Sequence, residues 1–200
     1  MRSDVRTTDN IGILVLRLLI ITVCAGLILG VVYTVTKEPI AEQARLAADE
    51  SRKTVLPAAV SFEQLDLTGY VSDGDDFGEI EEIYMGLDEA GLPAGYTFAI
   101  RTKGYSANLV LTVGLDAAGT VTGVDIASHE ETPGLGANAT SPDFLGQYVG
   151  ADGPLVVVKS ATGQTGEVQA LTGATITSRA VTDAVNMTRE FYAAFLQEGV

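Results

Sequence analysis

Residues 107–127 read ANLVLTVGLDAAGTVTGVDIA, two apolar runs joined by a short polar break. The runs are rich in valine, leucine and isoleucine, residue types that favour strands. Between them stands Asp116-Ala-Ala-Gly119, in which an aspartate and a glycine bound the break. This composition is typical of a tight turn between antiparallel strands. The segment therefore predicts a β-hairpin.

Runs of similar kind lie on both sides of this hairpin. Ile80–Leu87 (IEEIYMGL) and 95–102 (GYTFAIRT) precede it, and a β-branched run at 155–159 follows it. The acidic, turn-rich stretch 66–78 predicts an exposed loop. Apolar residues recur at helical spacing over 178–197, which predicts an amphipathic helix that packs on the sheet. The expected fold class is α+β, an antiparallel sheet with a C-terminal packing helix.

Residues 18–35 (LLIITVCAGLILGVVYTV) carry no charge. At about 1.5 Å per residue, this length suffices to cross a hydrocarbon core. No small-residue cleavage pattern follows, so we expect a permanent single-pass anchor in the lipid bilayer and not a removed signal peptide. We predict a cytoplasmic tail at 1–10, a transmembrane helix at 11–36, a helical stalk at 37–56 and one extracytoplasmic domain at 57–200.

The charge distribution excludes some functions. The chain has 12 basic and 26 acidic residues, and from 60 to 200 only five basic residues stand against 20 acidic ones. So acidic a surface repels phosphate backbones, and we therefore expect no nucleic-acid partner. The single cysteine, Cys24, allows no intrachain disulfide and no cysteine-ligated metal framework. We expect the anchor to lie in the inner (cytoplasmic) membrane. Because basic residues are scarce after the anchor, we expect the domain on the extracytoplasmic side.

Two motifs carry the chemistry. Thr172-Gly-Ala-Thr-Ile-Thr-Ser178 stands just before the predicted helix. Small residues let a ligand approach the backbone, and the first amides of a helix attract phosphate. The alternative is an ordinary helix start capped by Thr177 or Ser178. The second motif, His129-Glu-Glu-Thr-Pro-Gly-Leu-Gly136, holds the only histidine, and by itself it predicts a surface loop without metal ligands.

HEETPGLG followed by TGATITSRAV, behind one amino-terminal membrane helix, resembles the FMN-binding family. That family includes the G subunit of the Rnf electron-transport complex and the C subunit of the sodium-translocating NADH:quinone reductase, and the ITSRAV continuation favours the former. The resemblance implies that FMN is esterified through its phosphate to the last threonine of the T-G-A-T core, Thr175. It also implies a cofactor site formed by Thr172, Gly173, Ala174, Thr177 and Ser178, with His129, Glu131, Thr132, Gly134 and Leu135 from the loop.

The resemblance further implies a redox subunit of an Rnf-type complex that carries electrons on covalent FMN and supports ion translocation. Its implied partners are the other membrane subunits and a flavin transferase, which uses FAD as donor and Mg²⁺ as its metal. In that family an aspartate often precedes the attachment core, where this chain has Gln169. The alternatives are a membrane-tethered flavin-binding regulator or sensor, the C subunit of the sodium-translocating reductase, and an anchoring subunit without cofactor.

Overall fold

The computed structural model describes residues 11–67, Tyr70, Phe77 and 79–197. The predicted cytoplasmic tail 1–10 and most of the predicted loop 66–78 lie outside the described residues. The chain forms two compact units, Met1–Leu46 and Ala47–Val200.

Helix α1, Ile11–Val55, contains the whole predicted anchor and runs on through most of the predicted stalk. It is long and apolar enough to cross a membrane, judged by length and composition. The large apolar side chains from Ile13 to Val35 are exposed, and the Thr34 hydroxyl donates to the Gly30 carbonyl (2.8 Å), which satisfies it within the helix. The second compact unit begins at Ala47, within the predicted stalk.

The second unit is built on a five-stranded antiparallel sheet whose strands neighbour one another in chain order. The strands are β1 Ser61–Leu65, β2 Ile80–Leu87, β3 Pro93–Lys103, β4 Asn108–Asp116 and β5 Val121–Ser128. The predicted hairpin is β4–β5, and the Asp116 carboxylate closes its turn by accepting the N–H groups of Ala118 (2.8 Å) and Thr120 (2.9 Å). The predicted α+β class is confirmed; β1 was not predicted.

After the sheet the chain forms short elements. They are 3-10 turns Gly136–Thr140 and Gly146–Tyr148 around α2 Pro142–Leu145, then β6 Val156–Val158 and β7 Glu167–Gln169. The predicted β-branched run 155–159 does form β6, but β6 pairs in parallel with β7 in a separate two-stranded sheet. Asn186 fixes the start of β6, because its side chain donates to the Leu155 carbonyl (2.8 Å) and accepts the Leu155 N–H (2.9 Å).

Helix α3, Thr175–Phe191, packs against β3 and β4 and continues as a π-helical turn, Tyr192–Leu196. It begins three residues earlier than the predicted start at Ser178. The alternative interpretation, a helix start capped by Thr177 or Ser178, is wrong: Ala174 precedes the first helical residue, and no side chain caps the helix. The Ser178 hydroxyl instead donates to the Ala174 carbonyl (2.9 Å) and accepts the Leu171 N–H (3.0 Å).

The end of α1 packs onto the sheet at a helix–sheet junction formed by Ser51, Arg52, Val55 and Leu56, all of which are buried. The Thr122 hydroxyl donates to the Val55 carbonyl (2.5 Å), and the Ser51 hydroxyl donates to the Asp125 carboxylate (2.6 Å). Glycines on the sheet make room for this approach. A Cβ on Gly114 would lie 2.4 Å from the Val55 carbonyl oxygen, so only glycine fits there.

Candidate functional site

A cavity of about 380 Å³ opens where the start of α3, the β3–β4 turn and the loop after β5 meet. This volume falls within the range of small-molecule sites. Residues from both sequence motifs line the cavity: Glu131, Thr132, Leu135, Gly173, Ala174, Thr175 and Thr177. The fold thus brings together two segments that are far apart in the chain.

The remaining residues of the predicted site do not line the cavity. His129 is half-buried at the start of the loop, where its Nδ1 accepts the Glu131 N–H (3.3 Å). Thr172 and Gly134 are exposed, and Ser178 is buried within α3. The structure therefore places these four next to the lining residues and not among them.

Three lining residues were not predicted: Tyr105, Gly136 and Ile176. Tyr105 lies on the β3–β4 turn, where the Gly104 N–H donates to the Ala107 carbonyl (2.9 Å), and its side chain is 69% exposed. A large aromatic residue in a glycine-containing turn between two strands is the sequence signal that could have found it. Ile176 is 54% exposed, so the cavity has an apolar and aromatic rim.

The uncapped start of α3 is the polar end of the cavity. The first amides of a helix have no partner within the helix, and they carry the positive end of its dipole. Gly173 stands just before them with φ +77°, in the left-handed region that favours glycine. A Cβ on Gly173 would approach Leu135 Cδ2 to 2.9 Å. Gly173 is itself exposed, so the amides of the helix start are accessible to a negatively charged ligand, and a side chain at Gly173 would crowd Leu135.

The hydroxyls of Thr175 and Thr177 are in different situations. Thr177 is fully buried, and its hydroxyl donates to Glu131 Oε2 (3.0 Å). Thr175 is half-buried on the cavity wall, and among the described residues nothing hydrogen-bonds to its hydroxyl. Thr175 therefore presents at the cavity a hydroxyl that no described residue occupies.

The Glu131 carboxylate is the most strongly fixed group of the site. It is 6% exposed; Oε1 accepts the N–H groups of Tyr105 (2.7 Å) and Ser106 (3.1 Å), and Oε2 accepts the Thr177 hydroxyl. We call these four residues the Glu131 clamp. The clamp joins the β3–β4 turn, the loop after β5 and the first turn of α3, which are the three segments that form the cavity.

These residues fit FMN, the cofactor that the resemblance implies. The helix amides suit a phosphate, the free hydroxyl of Thr175 suits an ester, and the rim of Tyr105, Leu135 and Ile176 suits a planar aromatic ring. Within the described part of the chain, no group of three or more His, Cys, Asp or Glu residues could hold a metal ion.

Comparison with known proteins agrees with this geometry. Residues 104–190 match the FMN-binding domain family. The chain is 35% identical over 186 residues to the G subunit of the ion-translocating oxidoreductase complex of Methanosarcina acetivorans, covering 92% of this chain and 95% of that protein. It is 34% identical over 202 residues to the G subunit of the Na⁺-translocating ferredoxin:NAD⁺ oxidoreductase complex of Acetobacterium woodii, covering 96% and 95%.

The fold is also that of a solved structure. The crystal structure of the C subunit of the Na⁺-translocating NADH-quinone reductase from Parabacteroides distasonis has a TM-score of 0.55 and 22% identity, and the match covers 78% of this chain and 94% of that one. This likeness concerns the fold alone. Sequence identity to the two G subunits over nearly their whole length is the stronger finding, and by it this chain belongs to the G-subunit family of Rnf-type ion-translocating oxidoreductase complexes.

Proposed function

We propose that this chain is a membrane-anchored flavoprotein subunit of an Rnf-type electron-transport complex and that it carries FMN through a phosphoester to Thr175. One observation carries the proposal: the free Thr175 hydroxyl lines a cavity at the uncapped start of α3. FMN held there supplies an isoalloxazine ring that accepts and returns electrons. The relatives named above are subunits of translocating complexes, which supports other membrane subunits as partners of this chain.

The residues at the start of α3 would hold the phosphate. Their amides and the helix dipole favour a negative group, and a phosphodiester carries less charge than a phosphomonoester. Both features ease the placement of phosphate on a domain with so many acidic residues. The covalent link keeps the site occupied whatever the surrounding FMN concentration, because a tethered ligand does not dissociate.

A separate flavin transferase is the second proposed partner. A threonine hydroxyl is far from ionised at neutral pH and does not attack phosphorus without activation. Thr175 is half-buried at the cavity, where another protein can reach it, whereas Thr177 is fully buried and bonded to Glu131. Burial therefore favours Thr175 as the residue that the transferase modifies.

We place the domain outside the cytoplasm, since basic residues are scarce after the anchor. Alkaline phosphatase fused after residue 200 should be active, because it folds only outside the cytoplasm. A green fluorescent protein fused at the same point should be dark after Sec-dependent export. The reverse pattern would show that the domain faces inward.

The attachment is tested by intact-mass measurement on the full chain coexpressed with a flavin transferase. The wild-type mass should rise by one FMN less one water, and the protein should give a flavin-fluorescent band after denaturing electrophoresis. Thr175→Ala should lose both signals entirely. Thr165→Ala is the matched control: it removes an exposed threonine that lies outside both the motif and this cavity, and it should keep both signals.

A fluorescent band that survives in Thr175→Ala would refute the assignment. If that band is then lost in Thr177→Ala, the ester lies two residues further on. If no wild-type chain gains mass while the transferase modifies another substrate in the same cells, the covalent attachment itself is wrong.

A further inference from the structure

Glu131 is a buried carboxylate with an unusual set of partners. Its contacts are two backbone N–H groups and one hydroxyl, all neutral donors. Among the described residues, no lysine, arginine or histidine forms an ion pair with it. Three donors and the nearby positive end of α3 stabilise the charge without cancelling it. The carboxylate therefore leaves a fixed negative charge beside the cavity.

Close glycines show how tightly this carboxylate is seated. A Cβ on Gly136 would lie 2.1 Å from Glu131 Oε2, and a Cβ on Gly104 would lie 2.3 Å from Oε1. The carboxylate thus occupies a slot between the β3–β4 turn and the loop after β5. Its position is set by bonds on both oxygens and by backbone on both sides.

We propose that Glu131 is a positioning residue for the bound flavin: its clamp fixes the walls of the cavity, and its charge keeps the reduction potential of the flavin low. The proposal rests on the proposed function, because it requires FMN in this cavity. Reduction adds two electrons and one proton to the ring, so the reduced ring carries one more negative charge than the oxidised one. A negative charge held in a poorly solvated place disfavours that form.

Two substitutions separate the effect of the Glu131 charge from the effect of its side-chain length. Glu131→Gln removes the charge and keeps the length. Its amide oxygen can accept the N–H groups of Tyr105 and Ser106, and its NH₂ can donate to Thr177, since a threonine hydroxyl also accepts. Glu131→Asp keeps the charge but is one methylene shorter, so it cannot reach both the turn and α3.

The charge is tested on the flavin-loaded full chain in detergent, by reductive titration with dithionite against a dye of known potential. Glu131→Gln should raise the ratio of reduced to oxidised flavin at a given potential about tenfold, which is about 30 mV for a two-electron couple. Glu130→Gln is the matched control, because it removes an exposed carboxylate from the adjacent position. It should move the potential by less than a third as much.

The clamp is tested on the flavin-free chain, expressed without the transferase, by hydrogen exchange of the Tyr105 and Ser106 amides. In Glu131→Asp these two amides should exchange at least tenfold faster than in the wild type. In Glu131→Gln their exchange rates should stay close to those of the wild type. When loaded with flavin, Glu131→Asp should keep the wild-type potential. This comparison remains decisive even if Glu131→Gln does not fold.

Equal potentials for Glu131→Gln and Glu130→Gln would overturn the proposal, and so would wild-type protection of the two amides in Glu131→Asp. Intact mass distinguishes these results from failure of the proposed function. A wild-type chain without FMN refutes the function, while the exchange experiment still tests the clamp.

Discussion

Two buried charges tie this domain together, and the fold treats them differently. Arg52, 7% exposed at the helix–sheet junction, contacts the carboxylates of Asp49 and Glu82 and lies over the Tyr84 ring, 3.8 Å from its centroid. Glu131, 6% exposed at the cavity, contacts neutral donors. An ion pair neutralises a buried charge, whereas neutral hydrogen-bond donors stabilise the charge but leave its electric field uncompensated. The charge at the junction is thus neutralised by its partners, whereas the charge at the cavity is not.

Glycines make room for a close approach in both regions, but the group that approaches differs. At the junction, Gly114 and Gly123 admit the backbone of Val55 to the sheet. At the cavity, Gly104 and Gly136 admit the Glu131 carboxylate. A backbone cannot move aside without the whole helix end moving, so the junction should tolerate added atoms least.

Gly114→Ala should have the largest effect on stability. The new methyl group would meet the Val55 carbonyl oxygen at 2.4 Å and the Thr122 hydroxyl at 2.7 Å, and Thr122 holds that same carbonyl. We expect a loss of about 3 kcal/mol and a melting temperature lower by about 5–10 °C. The measurement is thermal unfolding of the full chain in detergent, followed by circular dichroism.

Gly146→Ala is the control for this substitution. Gly146 has φ −62° and ψ −20°, which any residue adopts, and a Cβ there would meet nothing within 4 Å. Its melting temperature should stay the same or rise slightly. If Gly114→Ala has the same melting temperature as the control, Val55 is not fixed on the sheet and the contrast between the two regions fails.

The sequence predicted local features well and long-range partners poorly. Strand periodicity located β2 to β5 within two residues, and the aspartate and glycine of the β4–β5 turn were recognised by residue type alone. Strand β1 (SFEQL) was missed because it is mostly polar and lies at the sheet edge. The start of α3 was placed late because Thr-Gly-Ala-Thr resembles a turn, while the helix there begins without any capping side chain.

The candidate site shows the same division. The resemblance pointed to both motifs, and the fold brings their central residues to one cavity. Tyr105 belongs to neither motif, and its turn reaches the cavity through a hydrogen bond to Glu131, 26 residues away. Arg52 and Glu82 likewise meet across 30 residues. No local pattern encodes such pairs, since they depend on how the strands are registered.

Arg52→Met should have the second largest effect. Methionine preserves much of the buried volume but removes the ion pairs and the contact with the Tyr84 ring. Asp49 and Glu82 are 41% and 42% exposed, so water solvates the carboxylates left behind. We therefore expect a loss of about 1–2 kcal/mol, less than for a pair buried on both sides.

Arg101→Met is the matched control, because Arg101 pairs with Glu81 at an exposed position on the same sheet. It should cost less than about 0.5 kcal/mol by urea unfolding. The flavin potential should be unchanged in both variants. A potential that shifts in Arg52→Met would show that the two regions are coupled, contrary to the division of roles argued above.

Tyr84→Phe should have the smallest effect, and one that depends on pH. Burial raises the pKa of the Tyr84 hydroxyl, with Arg52 opposing and Glu82 adding to the increase. The folded state thus keeps this proton at a pH where the unfolded chain releases it. The stability due to Tyr84 is therefore complete below about pH 10 and is lost as the pH rises through the raised pKa. Phenylalanine keeps the ring under Arg52 but has no proton to lose.

Urea unfolding of the wild type and Tyr84→Phe between pH 8 and pH 11 measures this difference. Loss of the hydrogen bond to Glu82 (3.1 Å) gives a constant offset between the two curves below about pH 10. Above that, the wild type should lose stability faster, by less than about 1 kcal/mol at pH 11, because the partly exposed hydroxyl is screened by water. The other tyrosines with raised pKa values, Tyr96, Tyr148 and Tyr192, are present in both proteins and cancel in the comparison. Curves that stay parallel up to pH 11 would mean that Tyr84 keeps its solvent access, so that the junction would be looser than the buried Arg52 implies.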